Sequence, residues 1–163
     1  ALGLAEAQAM FTAARANRVM LLEAYPYYFQ PATGALVQLL RSGAIGSVRS
    51  VQACFGFTVG NPQTNIRLKP ELGGGALLDA GSYALSIIRL AMGSAPQRVV
   101  AHARWDPSGV DMATAATLLW DDGRMAQLSC AMDGGNHRRA TSADVGRRGR
   151  ERPGPSERAC RAR

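Results

Sequence analysis

The 163-residue sequence predicts an α+β fold: an open, mostly antiparallel sheet with helices on one face, preceded by one helix–strand unit of a parallel sheet. Three observations lead there. Apolar residues recur at helical spacing over Ala1–Asn17, Pro31–Ser42 and Gly73–Gly93. Gly46–Val59 alternates with period two, and Pro96–Trp105, Thr114–Trp120 and Met125–Ala131 read as three further strands. Asp121-Asp122-Gly123-Arg124 joins the last two as a hairpin, with Gly where a positive φ is needed. One helix layer on four long strands leaves one sheet face uncovered.

In chain order, Leu4, Ala7, Met10, Phe11 and Ala14 give the first helix its apolar spacing, and Val19-Met20-Leu21-Leu22 follows as a short buried strand. Tyr25, Tyr27 and Phe29 alternate like the apolar face of a strand that prolines bring to an end. Pro31 opens an amphipathic helix carrying Leu36, Val37, Leu39 and Leu40, with Gly43 just past its end. In the strand that follows, Val51, Ala53, Phe55 and Phe57 form the apolar face. Asn61–Leu72, with Pro62 and Pro70, is a loop passing over a cleft, and its Asn65, Arg67 and Lys69 are either solvated charges or substrate contacts. His102 is expected as a partly buried strand histidine, and Trp105 and Trp120 either under the helices or on the uncovered face.

The stretch Gly73–Gly93 is the most informative. Three glycines open it, one closes it, and Leu77, Leu78, Leu85, Ile88 and Met92 mark the side expected to lie on the core. Asp79 and Tyr83 break the apolar pattern four residues apart, which makes them neighbours on one helix face. A carboxylate beside a phenol in such a helix needs partners. Either Asp79 serves the helix terminus while Tyr83 packs in the core, or the two form a site.

Composition narrows the function classes. The length suits one domain, and 47% hydrophobic residues fit a soluble globular chain. No run reaches the roughly 18 apolar residues of a membrane helix and no signal-peptide pattern opens the chain, so no membrane association and a cytoplasmic location are expected. Cys54, Cys130 and Cys160 are scattered without CxxC spacing, so no metal is expected. The net charge of +7 comes almost wholly from 137–163, since acids and bases nearly cancel before it. That tail, rich in Arg, Gly, Pro and Ser, is expected to be disordered; a polybasic nucleic-acid arm is the alternative, without aromatic platforms for bases.

The segment GGGALLDAGSYAL closely resembles the Gly-Gly-Gly-(Ala/Ser)-Leu-Leu-Asp-x-Gly-x-(Tyr/His) motif of the Gfo/Idh/MocA oxidoreductase family, in the branch that includes dimeric dihydrodiol and D-xylose dehydrogenases. Glu23-Ala24-Tyr25-Pro26-Tyr27-Tyr28-Phe29-Gln30-Pro31 resembles the family's crossover segment, with Tyr28 and Gln30 where Arg and His are usual. The resemblance runs from about Leu4 to Thr141. It implies that Tyr83 and Asp79 are catalytic, Tyr83 as acid/base at a substrate hydroxyl; Tyr27, by its position beside the cleft, and Arg67, on the loop over it, are the candidate substrate contacts. It also implies NAD or NADP as cofactor, and a homodimer formed through the open sheet face.

On this resemblance the expected organisation is a remnant of a nucleotide-binding Rossmann domain at 1–24, a substrate and dimerisation domain at 25–141 and a basic tail at 142–163. The family would continue 137–141 into another strand. This sequence is expected not to, its last stretch resembling a change of reading frame. No strand followed by G-x-G-x-x-G occurs, so the cofactor-binding residues are unknown and the chain alone is expected to be inactive. The expected function is the substrate-binding half of a dehydrogenase acting on a sugar, cyclitol or dihydrodiol CH–OH group. A non-catalytic dimerisation module with a basic tail is the competing class.

Overall fold

A computed structural model describes residues 2–61 and 63–144. The helices are α1 (Leu4–Ala16), α2 (Pro31–Ser42) and α3 (Ser82–Met92), the last entered through a π-helical turn at Leu77–Gly81. The strands are β1 (Val48–Thr58), β2 (Arg98–Trp105), β3 (Asp111–Leu119), β4 (Met125–Ala131) and β5 (Asp133–Asp144). They form one open sheet in the order β2-β3-β4-β1-β5. β1 runs parallel to β4 and every other pairing is antiparallel, which gives the α+β architecture the patterning predicts.

The core lies between α3 and the sheet. Ala76, Ala80, Ala84, Ile88 and Met92, spaced four apart, are buried with Val51, Ala53, Leu118, Leu128 and Cys130. This corrects the expected leucine stripe: Ile88 and Met92 do face the core, but Leu78 is 58% exposed, and Leu77 and Leu85 are exposed too. The side chains nearest the sheet are small because the helix lies close on it; at Gly81 an added Cβ would stand 3.0 Å from the Cys130 sulfur. Gly93 ends α3 at φ 72° and donates its N–H to the Arg89 carbonyl. Pro70–Met92 has the length and mean hydropathy, 1.2, of a membrane span, yet it is this core helix with its alanine side in the sheet.

Four further expectations are corrected. Val19–Leu22 is not a strand and Met20 is 90% exposed, because none of the five strands offers it a ladder. Pro26–Phe29 is a turn of 3₁₀ helix rather than an extended strand: Pro26 presets the first φ, and the Tyr28 N–H donates to the Tyr25 carbonyl at 3.0 Å. Residues from His137 onward do form a strand. β5 pairs antiparallel with β1 through Arg138↔Phe55, Ala140↔Ala53 and Thr141↔Gln52, since ladder bonds are made by backbone and tolerate the arginines. The strand takes in Ser142–Asp144, while the expected disorder of the rest of the tail lies outside the described residues. His102 is exposed on β2, the edge strand, which is exposed along its whole length. Of the two tryptophans, Trp120 is buried with its indole N–H donating to the Ser94 hydroxyl at 2.9 Å, and Trp105 is 65% exposed.

Candidate active site

The glycine-rich entry to α3 is built around Asp111. Gly75 sits at φ 118°, and an added Cβ there would collide with the Asp111 carboxylate. That carboxylate, 8% exposed, accepts from the Leu77 N–H at 2.9 Å and from the Thr114 hydroxyl at 2.6 Å. The positive end of the helix is thus filled by a side chain from β3. A pyrophosphate would need these same amides, and among the described residues no glycine turn connects a strand to a helix. The residues present therefore do not fit the phosphates of a dinucleotide.

One turn further on, the π-helical geometry carries Asp79 outward, with its N–H on the Gly75 carbonyl at 3.2 Å. π-turns of this kind recur at functional sites. The Arg67 Nε donates to the Asp79 carboxylate at 2.8 Å. Arg67 is itself held: its N–H donates to the Asn65 side chain at 3.0 Å, its carbonyl accepts from the Gly75 N–H at 2.9 Å, and its guanidinium lies 5.4 Å from the Phe57 ring centre. Partly exposed, this ion pair contributes little to stability, about 0–1 kcal/mol, but it orients both groups.

Tyr83 lies in an aromatic wall. Its ring centre is 4.8 Å from that of Tyr25 and 5.5 Å from that of Phe55, the latter edge to face. Tyr27 and Tyr28 stack at 4.5 Å, and both phenols meet one hydroxyl: Tyr27 donates to Ser86 Oγ at 2.6 Å, and Tyr28 lies 3.0 Å from the same atom. Burial pushes the Tyr27 phenol well above its ordinary pKa, against the pull of the Ser86 hydrogen bond. Tyr28 is drawn below its ordinary value, chiefly by its hydrogen bonds to Ser86 and Tyr27. Tyr27 therefore offers a ligand its ring rather than its hydroxyl. The Tyr83 hydroxyl has no hydrogen-bond partner among the described residues.

All four residues singled out in the sequence, Tyr27, Arg67, Asp79 and Tyr83, line one cleft of about 790 Å³ between α3, β1, β5 and the Pro26–Phe29 turn. Phe55, Ser86 and Arg138 belong to this region and sequence reasoning missed them. Ser86 was findable, since it stands three residues after Tyr83 on the same helix side. Phe55 was legible only as a core residue, and Arg138 had no signal because its place depends on β5 pairing with β1. No group of three or more His, Cys, Asp or Glu side chains that could hold a metal occurs among the described residues. An unengaged phenol and an oriented carboxylate thus line one cleft, the kinds of group that proton transfer at a C–OH group uses.

Residues 34–150 match the family model described as the GFO/IDH/MocA C-terminal domain. The chain is 36% identical to trans-1,2-dihydrobenzene-1,2-diol dehydrogenase of Danio rerio over 81% of its own length and 39% of that protein's. It is 35% identical to D-xylose 1-dehydrogenase (NADP(+)) 2 of Haloferax volcanii over 78% and 39%. Among solved structures it is similar to aldose-aldose oxidoreductase from Caulobacter crescentus complexed with glycerol, with a TM-score of 0.74 and 33% identity, covering 83% of this chain and 42% of that one. It is also similar to a 3-ketoreductase from Actinomadura kijaniata in complex with NADP and TDP-benzene, with a TM-score of 0.73 and 29% identity over 85% and 43%. The chain spans about two fifths of the length of these relatives.

Proposed function

The chain belongs to the GFO/IDH/MocA family, and on that premise we propose that residues 25–141 are the substrate-binding and dimerisation part of an NAD(P)-dependent oxidoreductase acting on a CH–OH group of a sugar, cyclitol or dihydrodiol. Residues 1–24 are then the end of its nucleotide-binding domain, and the tail beyond β5 an appendage. The observation that carries this reading is the Tyr83 phenol, without a hydrogen-bond partner among the described residues, in the same cleft as the Arg67–Asp79 pair.

A carbinol carbon gives up hydride only as its O–H proton is taken, so a base must stand within about 2.6–3.2 Å of that oxygen. Tyr83 takes that proton, and returns it in the reverse direction. Asp79, fixed by Arg67, accepts a hydrogen bond from a second substrate hydroxyl and sets which carbon faces Tyr83. The rings of Tyr27 and Phe55 pack on the C–H face of the substrate and keep water from the reacting oxygen.

The cofactor, NAD or NADP, supplies the hydride acceptor. The residues described here do not fit its phosphates, so this chain alone is expected to be inactive. Calorimetric titration with NADPH and NADH should show no micromolar binding; a micromolar Kd would place the cofactor site here and overturn that part of the reading. The uncovered sheet face is the proposed dimer surface.

The decisive test of the site is Tyr83→Phe in the chain joined to a nucleotide-binding domain. Loss of the acid/base group should lower kcat by about 10²-fold or more with the fold unchanged. An unaltered kcat at the pH optimum would leave a binding module without catalytic Tyr83.

A further inference from the structure

Resting on the oxidoreductase reading, we infer that the substrate is an anionic sugar or polyol whose carboxylate or phosphate is bound by Arg138, on the same aromatic wall of the cleft as Tyr83. Charge is the first reason. Among the described residues lining the cleft, Asp79 is the one carboxylate, and Arg67 already neutralises it at 2.8 Å. Arg138 and Arg139 line the same cleft, and neither has a carboxylate partner among the described residues. Both guanidinium groups are solvent-exposed at the edge of the cleft, where a substrate oxyanion can reach them and their positive field draws one in.

Position is the second reason. The Arg138 guanidinium lies 4.5 Å from the centre of the Phe55 ring, and Phe55 meets Tyr83 edge to face at 5.5 Å. The cation is thus held on the wall that carries the proposed base, no farther from the Tyr83 ring than those two distances laid end to end. Attraction to a ring face draws on the cation's charge and leaves its N–H donors available for an oxyanion. Arg138 lies opposite Phe55 in the β1–β5 ladder, and Arg139 one step along opposite Cys54, so only Arg138 shares the register position of the aromatic wall.

The third reason is chemical fit. A pyranose with one C–H face on the aromatic wall presents hydroxyls at one edge and can carry its charged group at another. Recognition at both edges selects one orientation, which a neutral sugar held by its hydroxyls alone would lack.

The test is binding to the full 163-residue chain, followed by NMR or calorimetry, with glucuronate, glucose 6-phosphate, methyl glucoside and inorganic phosphate as probes. One of the two charged sugars, the carboxylate or the phosphate, should bind about tenfold or more tightly than methyl glucoside, weakening as salt rises. Arg138→Gln should erase that preference. Arg138→Lys should keep only part of it, since charge remains while the planar fork is lost. Arg138 is exposed on an edge strand, so these variants should fold, which circular dichroism checks.

The inference is overturned by equal binding of charged and neutral sugars, by an unchanged preference in Arg138→Gln, by inorganic phosphate matching the sugars, or by no binding of either charged sugar at millimolar concentration. None of these outcomes touches the Tyr83→Phe result. The role of Tyr83 therefore stands or falls separately.

Discussion

On the helix-covered face of the sheet, Val51, Ala53, Leu118, Ala126, Leu128 and Cys130 are buried, while Gln52, Cys54, Thr117, Gln127 and Ser129, one residue out of phase on the same strands, look out from the other face. The cross-strand row Val100, Thr117, Gln127, Gln52 and Thr141 runs the full width of the uncovered face, tied by a Gln52–Gln127 side-chain hydrogen bond at 2.8 Å. No charged side chain interrupts that row, whereas arginines stand at its rim on β2 and β5. A face meant only for water would carry charge at its centre. Uncharged along that row and partly apolar, it is the face proposed above for dimerisation. The candidate cleft lies on neither centre: α3, β1 and β5 line it together, and the Phe55 and Tyr83 rings there are half-buried.

The largest expected difference between the faces is in stability. Ile88 is fully buried under α3, and Ile88→Ala should cost about 2–5 kcal/mol through lost burial and the cavity it leaves, measured by urea unfolding. A cost near zero would mean that α3 is not clamped to the sheet as described.

The two cysteines sharpen the same contrast, because Cys54 belongs to the open face and Cys130 to the covered one. In a Cys160→Ser background a thiol reagent should label Cys54 readily and Cys130 only on unfolding. Burial pushes the Cys130 thiol up to about 11. Its folded pKa thus lies above the unfolded value, about 8.5. The resulting stability is fully present below about pH 8.5 and is lost as pH rises toward about 11. The unfolding midpoint should therefore fall more steeply over that range than in Cys130→Ala. Parallel slopes would break the assignment of Cys130 to the dry side.

Smallest in stability, and most informative on function, is Thr117→Arg at the centre of the open face. It should change the unfolding free energy of the monomer by no more than about 0.5 kcal/mol, as surface changes do. It should also convert a dimer to a monomer in sedimentation. A variant that stays dimeric would remove this face from the proposed interface.

Much of this architecture was legible because it is local. The first helix needs only its own spacing, β1 only its alternation, and the β3–β4 hairpin only Gly123, at φ 82°. Asp79 and Tyr83 were legible because two polar groups four apart in an apolar helix stand out against their surroundings. Apart from the Pro26–Phe29 turn, whose cause is local, what failed depended on partners distant in the chain. Val19–Leu22 has the composition of a strand and no ladder to join. β5 has the composition of a tail and does have one, on the free edge of β1. The leucines of α3 are more hydrophobic than its alanines, yet volume rather than hydrophobicity decides which side can lie close on the sheet. The Asp111 carboxylate at the helix entrance could not be anticipated, because a β3 residue and the Leu77 amide, 34 positions earlier, meet only in the folded sheet.

The parallel pairing of β1 with β4 also bears on how the chain reaches this fold. Gln52 finds its partner Gln127 across 75 residues, and the other edge of β1 waits for β5, which is later still. Of the five described strands, β1 is made first and is the last to have both edges satisfied. Until β3, β4 and β5 have been made, Val51, Ala53, Phe55 and Phe57 stand on an extended segment with two open backbone edges. Sequence-distant pairings slow folding in general, so β1 is expected to stand unpaired during synthesis until β4 and β5 follow. Aggregation during expression should therefore respond to anything that shields β1 early, such as slower growth or a holding chaperone, more than to changes in the stability of the finished fold.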